Sequence, residues 1–425
     1  MLMNVYPEWR TPTMVPCPAT PHIDLDRLVH MIAHTVDLVG MDDYYHGRRV
    51  SLIAVQLGRA LGFAGPWLQF IQHAGLLHDC GVSSTRTHRR LLNAIEWDGA
   101  QAHCIAGHKL LKDFAPLASL APIILYHHTR WNELQAADLP RETAILANLI
   151  YLADRIDILS AAFYDDNILL SKIHTIRDIL GHYRGAIFAP QLIDAFMESS
   201  AAEAFWTPLM SPEMVQASQN NLSRLYDSPQ LEWPDIMQAA DILAQIVDAK
   251  SPYTHRHSSG VANLSAWLAG EMGFATSHCE MIKVAGLLHD IGKLRIDDAI
   301  LEAPRALTEL EQGKMRTHSF MTYNILHEIG ELETIAHWAS QHHERLDGQG
   351  YPFRLKGDNL STESRIICVA DVYQALAQKR PYRDSLVTSE IFAIIDGMVG
   401  DGKLDGDIVA IAKAQPHEAN LAALA

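Results

Sequence analysis

Residues 342–352 read His342-His343-Glu344-Arg345-Leu346-Asp347-Gly348-Gln349-Gly350-Tyr351-Pro352. Two adjacent imidazoles that lead through charged side chains into a glycine-rich turn closed by Tyr-Pro suit a metal site that receives an anion. A packed helix has no need of that mixture. His289-Asp290-Ile291-Gly292-Lys293 lies upstream, and Ala370-Asp371 and Arg380-Pro381-Tyr382-Arg383 lie downstream. Histidine offers one nitrogen and a carboxylate two oxygens. Such a set fits first-row divalent ions: iron or manganese first, nickel or zinc as alternatives. With His257 and His318 included, the expected division is His257, His289, Asp290 and Asp371 on one ion. Asp290 then bridges to a second ion held by His318, His342 and His343. Two ions ~3.5–4 Å apart would polarise a phosphoryl group and acidify a water, whose hydroxide attacks phosphorus in line.

Lys293 is expected to contact a phosphate oxygen or protonate the leaving alkoxide. Pro381 bars a regular helix, so Arg380 and Arg383 turn back over the site as phosphate clamps. Gly350, Tyr351 and Pro352 are expected to form a tight loop against the substrate. A lone histidine on a helix is more often structural than a ligand; the ordered set of seven carries the reading.

That order occurs twice. His46, His78-Asp79, His103, His127-His128 and Asp154 repeat it, with spacings of 32, 25, 24 and 26 residues against 32, 29, 24 and 28 in the later set. Ala74-Gly75-Leu76-Leu77-His78-Asp79 parallels Ala285-Gly286-Leu287-Leu288-His289-Asp290, and Ala153-Asp154 parallels Ala370-Asp371. A repeat of this kind indicates two copies of one domain. Val261, Leu264, Leu268 and Met272 share one helical face, as do Ile53, Leu57 and Leu61. Gly62 and Gly273 are expected to end those helices, and Gly81 and Gly292 to act as stops after the His-Asp pairs. Alternating strand patterns are scarce, so the fold class is all-α: two tandem helical domains joined by a helical connector. The expected boundaries are a tail at 1–24, a first domain at 25–165, a connector at 166–235, a catalytic domain at 236–405 and a loose alanine-rich tail at 406–425.

The 425 residues include 50 acidic and 34 basic side chains, a net charge of −16. That balance argues against polymeric nucleic acid as a partner. It leaves room for a small phosphate ligand on a metal cluster. Five scattered cysteines form no CxxC, which argues for a reducing compartment and against a thiolate zinc site. No apolar run has signal-peptide or membrane-span length. A cytoplasmic, bacterial-type protein without membrane association is expected, with helical surfaces free for a homodimer or a signalling partner.

Together, His289 to Lys293, His342 to Pro352 and Arg380 to Arg383 resemble the HD-GYP domain, a branch of the HD metal-dependent phosphohydrolases, over about residues 245–400. The earlier copy resembles a divergent HD domain. The resemblance implies hydrolysis of a cyclic dinucleotide, cyclic di-GMP or 3′,3′-cyclic GMP-AMP, to the linear dinucleotide. It also implies the ligand, lysine and arginine roles given above. Trinuclear members carry a glutamate four residues before the first histidine; Tyr253 stands there, so two ions are expected. In the earlier copy Val82 replaces the lysine, no Gly-Tyr-Pro follows His128, and Phe163 stands in the place of Arg380. That copy is expected to be catalytically silent while keeping a metal-binding set. The alternative reading is a non-catalytic module that binds the dinucleotide and signals through partners.

Overall fold

A computed structural model describes residues 22–40, 45–85, 99–164, 168–250, 256–378 and 385–425. The described residues contain no β-strand, only isolated bridges from Asp24 to Gln230 and from Arg184 to Phe188. Two compact units emerge, Asp24–Gln230 and Leu231–Ala425, the latter with Ile23. No described helix is long and apolar enough to cross a membrane.

The first unit contains α1 (Leu25–Asp37), α2 (His46–Ala60), α3 (Pro66–Leu77), α4 (Gln101–Leu111), α5 (Ala121–Tyr126), α6 (Trp131–Ala136) and α7 (Arg141–Ala161). It continues with α8 (Leu169–Gly181), α9 (Pro190–Ser199), α10 (Glu203–Trp206) and α11 (Pro212–Ser223). The last four occupy the stretch read as a connector, yet α9 and α11 pack on α2, and α8 packs on α7. Phe188, Phe196 and Trp206 are fully buried there. Pro190 and Pro212 are first helical residues, a position where the missing N–H costs nothing. They start elements of the first unit; the division between units falls after Gln230.

The second unit contains α12 (Trp233–Asp248), α13 (His257–Glu271), α14 (Thr276–Leu288), α15 (Asp298–Leu301), α16 (Glu309–His327), α17 (Glu333–Ser340), α18 (Thr362–Ala377), α19 (Thr388–Gly400), α20 (Gly406–Ala414) and α21 (Pro416–Leu424). Thr308 and Glu311 form a reciprocal cap that fixes the start of α16, and the Ser361 hydroxyl caps α18. Val261, Leu264 and Leu268 are buried along one face of α13. Gly62 and Gly273 leave their helices at φ +88° and +85°, the left-handed exit that glycine permits.

The loose tail expected over 406–425 is corrected. It forms α20 and α21, and α21 packs on α13 and α18 with Ala419 and Ala423 fully buried. Alanine favours helix, and its small side chain lets the helix approach closely.

Candidate metal centre

In the second unit each ligand is delivered by the start, the middle or the end of a helix. His257 opens α13. His289 and Asp290 follow the last residue of α14. His318 lies inside α16, His342 and His343 follow α17, and Asp371 lies inside α18. Gly292, expected as a helix stop, sits within a 3₁₀ turn at Ile291–Arg295. Its role is close approach: a Cβ there would lie 2.0 Å from the His318 carbonyl oxygen. Gly81 meets the His103 carbonyl in the same way, at 2.1 Å. Only glycine lets the ligand-bearing α16 and α4 press against the His-Asp turn.

The seven side chains converge. Asp290 Oδ1 lies 3.4 Å from His318 Nε2 and 3.7 Å from His342 Nε2. Its Oδ2 lies 3.3 Å from His289 Nε2 and 3.6 Å from His257 Nε2. Asp371 reaches His257 Nε2 at 3.3 Å through one oxygen and His343 Nδ1 at 3.9 Å through the other. Asp290 thus turns one oxygen to each histidine group, as a bridging ligand must.

Hydrogen bonding tests whether a cation fits. The Nδ1 atoms of His289, His318 and His342 lie 2.7, 2.6 and 2.7 Å from the carbonyls of Gly286, Met315 and Ala339. A carbonyl only accepts, so each Nδ1 carries the hydrogen and each neutral ring points a lone pair inward from Nε2. The Nε2 atoms of His318 and His342 face each other at 3.2 Å. Buried His289 Nε2 and Asp290 Oδ1 make no hydrogen bond. Lone pairs gathered around a buried carboxylate oxygen call for a divalent cation. Burial pushes His318 down to about 3 and His343 down to about 4, so both stay neutral donors. Burial alone would raise the Asp290 carboxyl, but the adjoining His289 imidazole and Lys293 ammonium outweigh it and hold the group well below its ordinary range.

The first unit repeats the arrangement. Asp79 Oδ1 lies 3.1 Å from His103 Nε2 and 3.8 Å from His127 Nε2, and Oδ2 lies 3.5 Å from His78 and 4.0 Å from His46. Asp154 lies 3.4 Å from His46 and 3.9 Å from His128. His78 Nε2 and Asp79 Oδ1 are buried without a hydrogen bond. Two features differ. Arg155 Nη2 donates to Asp154 Oδ2 at 2.7 Å, and Tyr151 packs edge-on to His128, ring centroids 5.1 Å apart. The His128 side chain is 7% exposed, against 29% for His343.

Residues 241–408 and 43–159 each match an HD domain family. The chain is 36% identical to 3′3′-cGAMP-specific phosphodiesterase 1 of Vibrio cholerae over 91% of its own length and 90% of that protein. It is 27% identical to 3′3′-cGAMP-specific phosphodiesterase 3 of the same organism, over 86% of this chain and 77% of the relative. The fold matches a crystal structure of a cyclic GMP-AMP-specific phosphodiesterase from V. cholerae with a TM-score of 0.61 at 22% identity, over 95% of this chain and 98% of that one. The chain belongs to the HD-domain phosphodiesterases. Members of this family are metal-dependent hydrolases, and the paired His/Asp clusters are where an HD-domain phosphodiesterase would hold its ions.

The remaining residues singled out in the sequence divide three ways. Lys293 Nζ donates to Asp290 Oδ2, and 22% of its side chain stays exposed. The Tyr351 ring lies 4.7 Å from that of His343, with Pro352 half-buried beside it. Gly350 is buried and would place a Cβ 2.5 Å from Glu344 Cα, so the loop closes there only with glycine. Arg380 and Arg383 lie outside the described residues, as does Tyr253.

Four further groups escaped the sequence reading. The buried Glu344 carboxylate accepts from the backbone N–H groups of Phe353, Arg354 and Leu355 at 2.6, 3.0 and 3.0 Å and so shapes the Tyr-Pro loop. Arg316 lies over the Tyr351 ring at 5.6 Å. Gln374 meets His257 Nδ1, and Asp157 meets His46 Nδ1 at 2.8 Å. Gln374 and Asp157 each stand three residues after the last ligand, one helical turn on. That spacing was the available signal.

Proposed function

We propose that the second unit hydrolyses a cyclic dinucleotide to the linear dinucleotide, with 3′,3′-cyclic GMP-AMP ahead of cyclic di-GMP as substrate. The carrying observation is the convergence of seven ligands on Asp290, with lone pairs directed inward and the His343–Asp371 side open to solvent. The relatives' specificity supports the order of substrates. Two divalent ions, iron or manganese, would be held by His257, His289, Asp290 and Asp371 and by Asp290, His318, His342 and His343. Bound there, they would supply Lewis acidity to the phosphoryl oxygen and acidify the attacking water.

The chain's own groups do the rest. Asp290 and Asp371, held ionised, orient the histidines around the reacting phosphate. Lys293 presents an ammonium that hydrogen-bonds a phosphate oxygen or gives a proton to the leaving ribose oxygen as the P–O bond breaks. Tyr351 walls the mouth on the His343 side, and Arg316 brings a guanidinium suited to a phosphate or a base face. Arg380 and Arg383 serve as the phosphate clamps.

The first unit keeps the ligands but not the means of turnover. Val82 offers no proton, and Arg155 and Tyr151 close the side that is open in the second unit. It is a closed, silent metal centre that braces or regulates the enzyme.

Each dinucleotide is incubated with purified protein and manganese or iron(II), and the products are separated by ion-exchange chromatography beside metal analysis of the same sample. Linear dinucleotide, formed faster from 3′,3′-cyclic GMP-AMP, is expected. No linear product with any metal, from protein that binds the dinucleotide, overturns the proposal in favour of a binding module.

A further inference from the structure

The two centres differ one layer behind the ligands, in a way that brings the C-terminal helix into the catalytic site. In the first unit His46 Nδ1 meets Asp157 Oδ2 at 2.8 Å. That carboxylate is paired with Arg49, whose Nε donates to Oδ1 at 2.6 Å and Nη2 to Oδ2 at 3.2 Å, and it also accepts at Oδ1 from the Tyr164 hydroxyl at 2.6 Å. The Arg49 guanidinium lies 4.5 Å from the Tyr164 ring centre, and Arg49, Asp157 and His46 are all buried.

In the second unit both members of the ion pair are replaced together. Gln374 stands three residues after Asp371, as Asp157 stands three after Asp154. Gly260 stands three residues after His257, as Arg49 stands three after His46. The Gln374 amide oxygen accepts from His257 Nδ1. The room that Arg49 fills in the first unit is filled here by α21. A Cβ on Gly260 would lie 2.3 Å from the Ala423 carbonyl oxygen and 2.9 Å from Gln374 Cγ. A carboxylate at 374 would be buried with no arginine at 260 to pair with, and such burial is costly. A neutral amide needs no cation, and the helix seals it in place.

We infer that Gln374 is a positioning residue for the catalytic metal centre. It fixes the Nδ1–H tautomer of His257 so that Nε2 faces Asp371 and Asp290, and α21 holds Gln374 through its contact at Gly260. A carboxylate behind a ligating histidine raises the basicity of the ring more than an amide does. His46 would therefore be the stronger donor to an ion in the first unit, and His257 the weaker donor in the second. This inference rests on the second unit holding metal, as proposed above.

The test uses full-length protein carrying His78→Ala and Asp79→Ala, so that the second unit dominates metal binding. Apo-protein is titrated with Mn(II), and thermal midpoint and KM are recorded alongside. Gln374→Leu is expected to weaken Mn(II) binding about 10–100-fold, with KM little changed once the enzyme is saturated with metal. Gln374→Glu, which keeps an acceptor at the same reach, is expected to bind Mn(II) at least as well as the parent, with a lower thermal midpoint from the unpaired buried carboxylate. Gly260→Ala, which displaces α21 from Gln374, is expected to weaken binding in the same direction as Gln374→Leu. Parental Mn(II) affinity in Gln374→Leu overturns the inference. So does equal weakening in Gln374→Leu and Gln374→Glu with a matching fall in thermal midpoint, which marks a packing role alone. If the parent itself hydrolyses no dinucleotide yet the Mn(II) series behaves as stated, the functional proposal fails and this inference stands.

Discussion

The two units share a ligand set and differ in how that set meets solvent. Asp371 and His343 in the second unit are 12% and 29% exposed, against 2% and 7% for Asp154 and His128 in the first. Arg155 occupies one oxygen of Asp154, and Val82 stands where the second unit has Lys293. Structural metal sites are closed and catalytic ones keep an open position. On the proposed reading, the same ligand set, duplicated in one chain, serves turnover in one copy and a closed centre in the other. What separates them is access and a few charges, because the ligands themselves are unchanged.

The sharpest way to break this comparison is to remove the bridging carboxylate from each unit in turn. Asp290→Ala is expected to lower turnover at least about 10³-fold and to release metal, measured by product formation and elemental analysis; it removes an interaction on which both ions depend. Lys293→Ala comes next, with kcat down about 10²-fold and metal content unchanged; metal loss in this variant would show that the lysine only supports Asp290. Arg316→Ala is expected to raise KM about tenfold, the worth of one charge-assisted hydrogen bond, with kcat little altered; an unchanged KM removes Arg316 from the binding surface. The smallest effect is expected from His78→Ala with Asp79→Ala. There kcat/KM stays within about twofold, because neither residue belongs to the second unit's ligand set, while metal per chain falls and circular dichroism is retained. Loss of activity in that variant, with the fold intact, would mean that the first unit takes part in turnover.

The pattern of histidine and aspartate was enough to read the duplication and the fourteen ligand-type residues, because ligand chemistry allows few residue types and the repeat fixes their order; the all-α class came from apolar residues at helical spacing. The glycines at 81 and 292 were visible as letters, but their task was not. Helix punctuation and close helix approach use the same residue, and only the 2.0–2.1 Å encounter with a facing carbonyl distinguishes them. The Pro190 and Pro212 stretch resembled a linker for a similar reason: a proline that begins a helix and one that breaks it look alike until the neighbouring turn is known.

What the sequence by itself determined was the identity of the groups that can hold metal, since the types and spacing of coordinating side chains are local and sparse. What only the tertiary structure decided was which centre is more exposed, which group stands behind His46 and His257, and that the last helix backs the second unit's centre at Gly260. The partners behind the first histidines come from more than 100 residues away, as Gln374 does for His257. Burial, dielectric and hydrogen-bond pairing belong to that assembled neighbourhood and to no stretch of the chain alone.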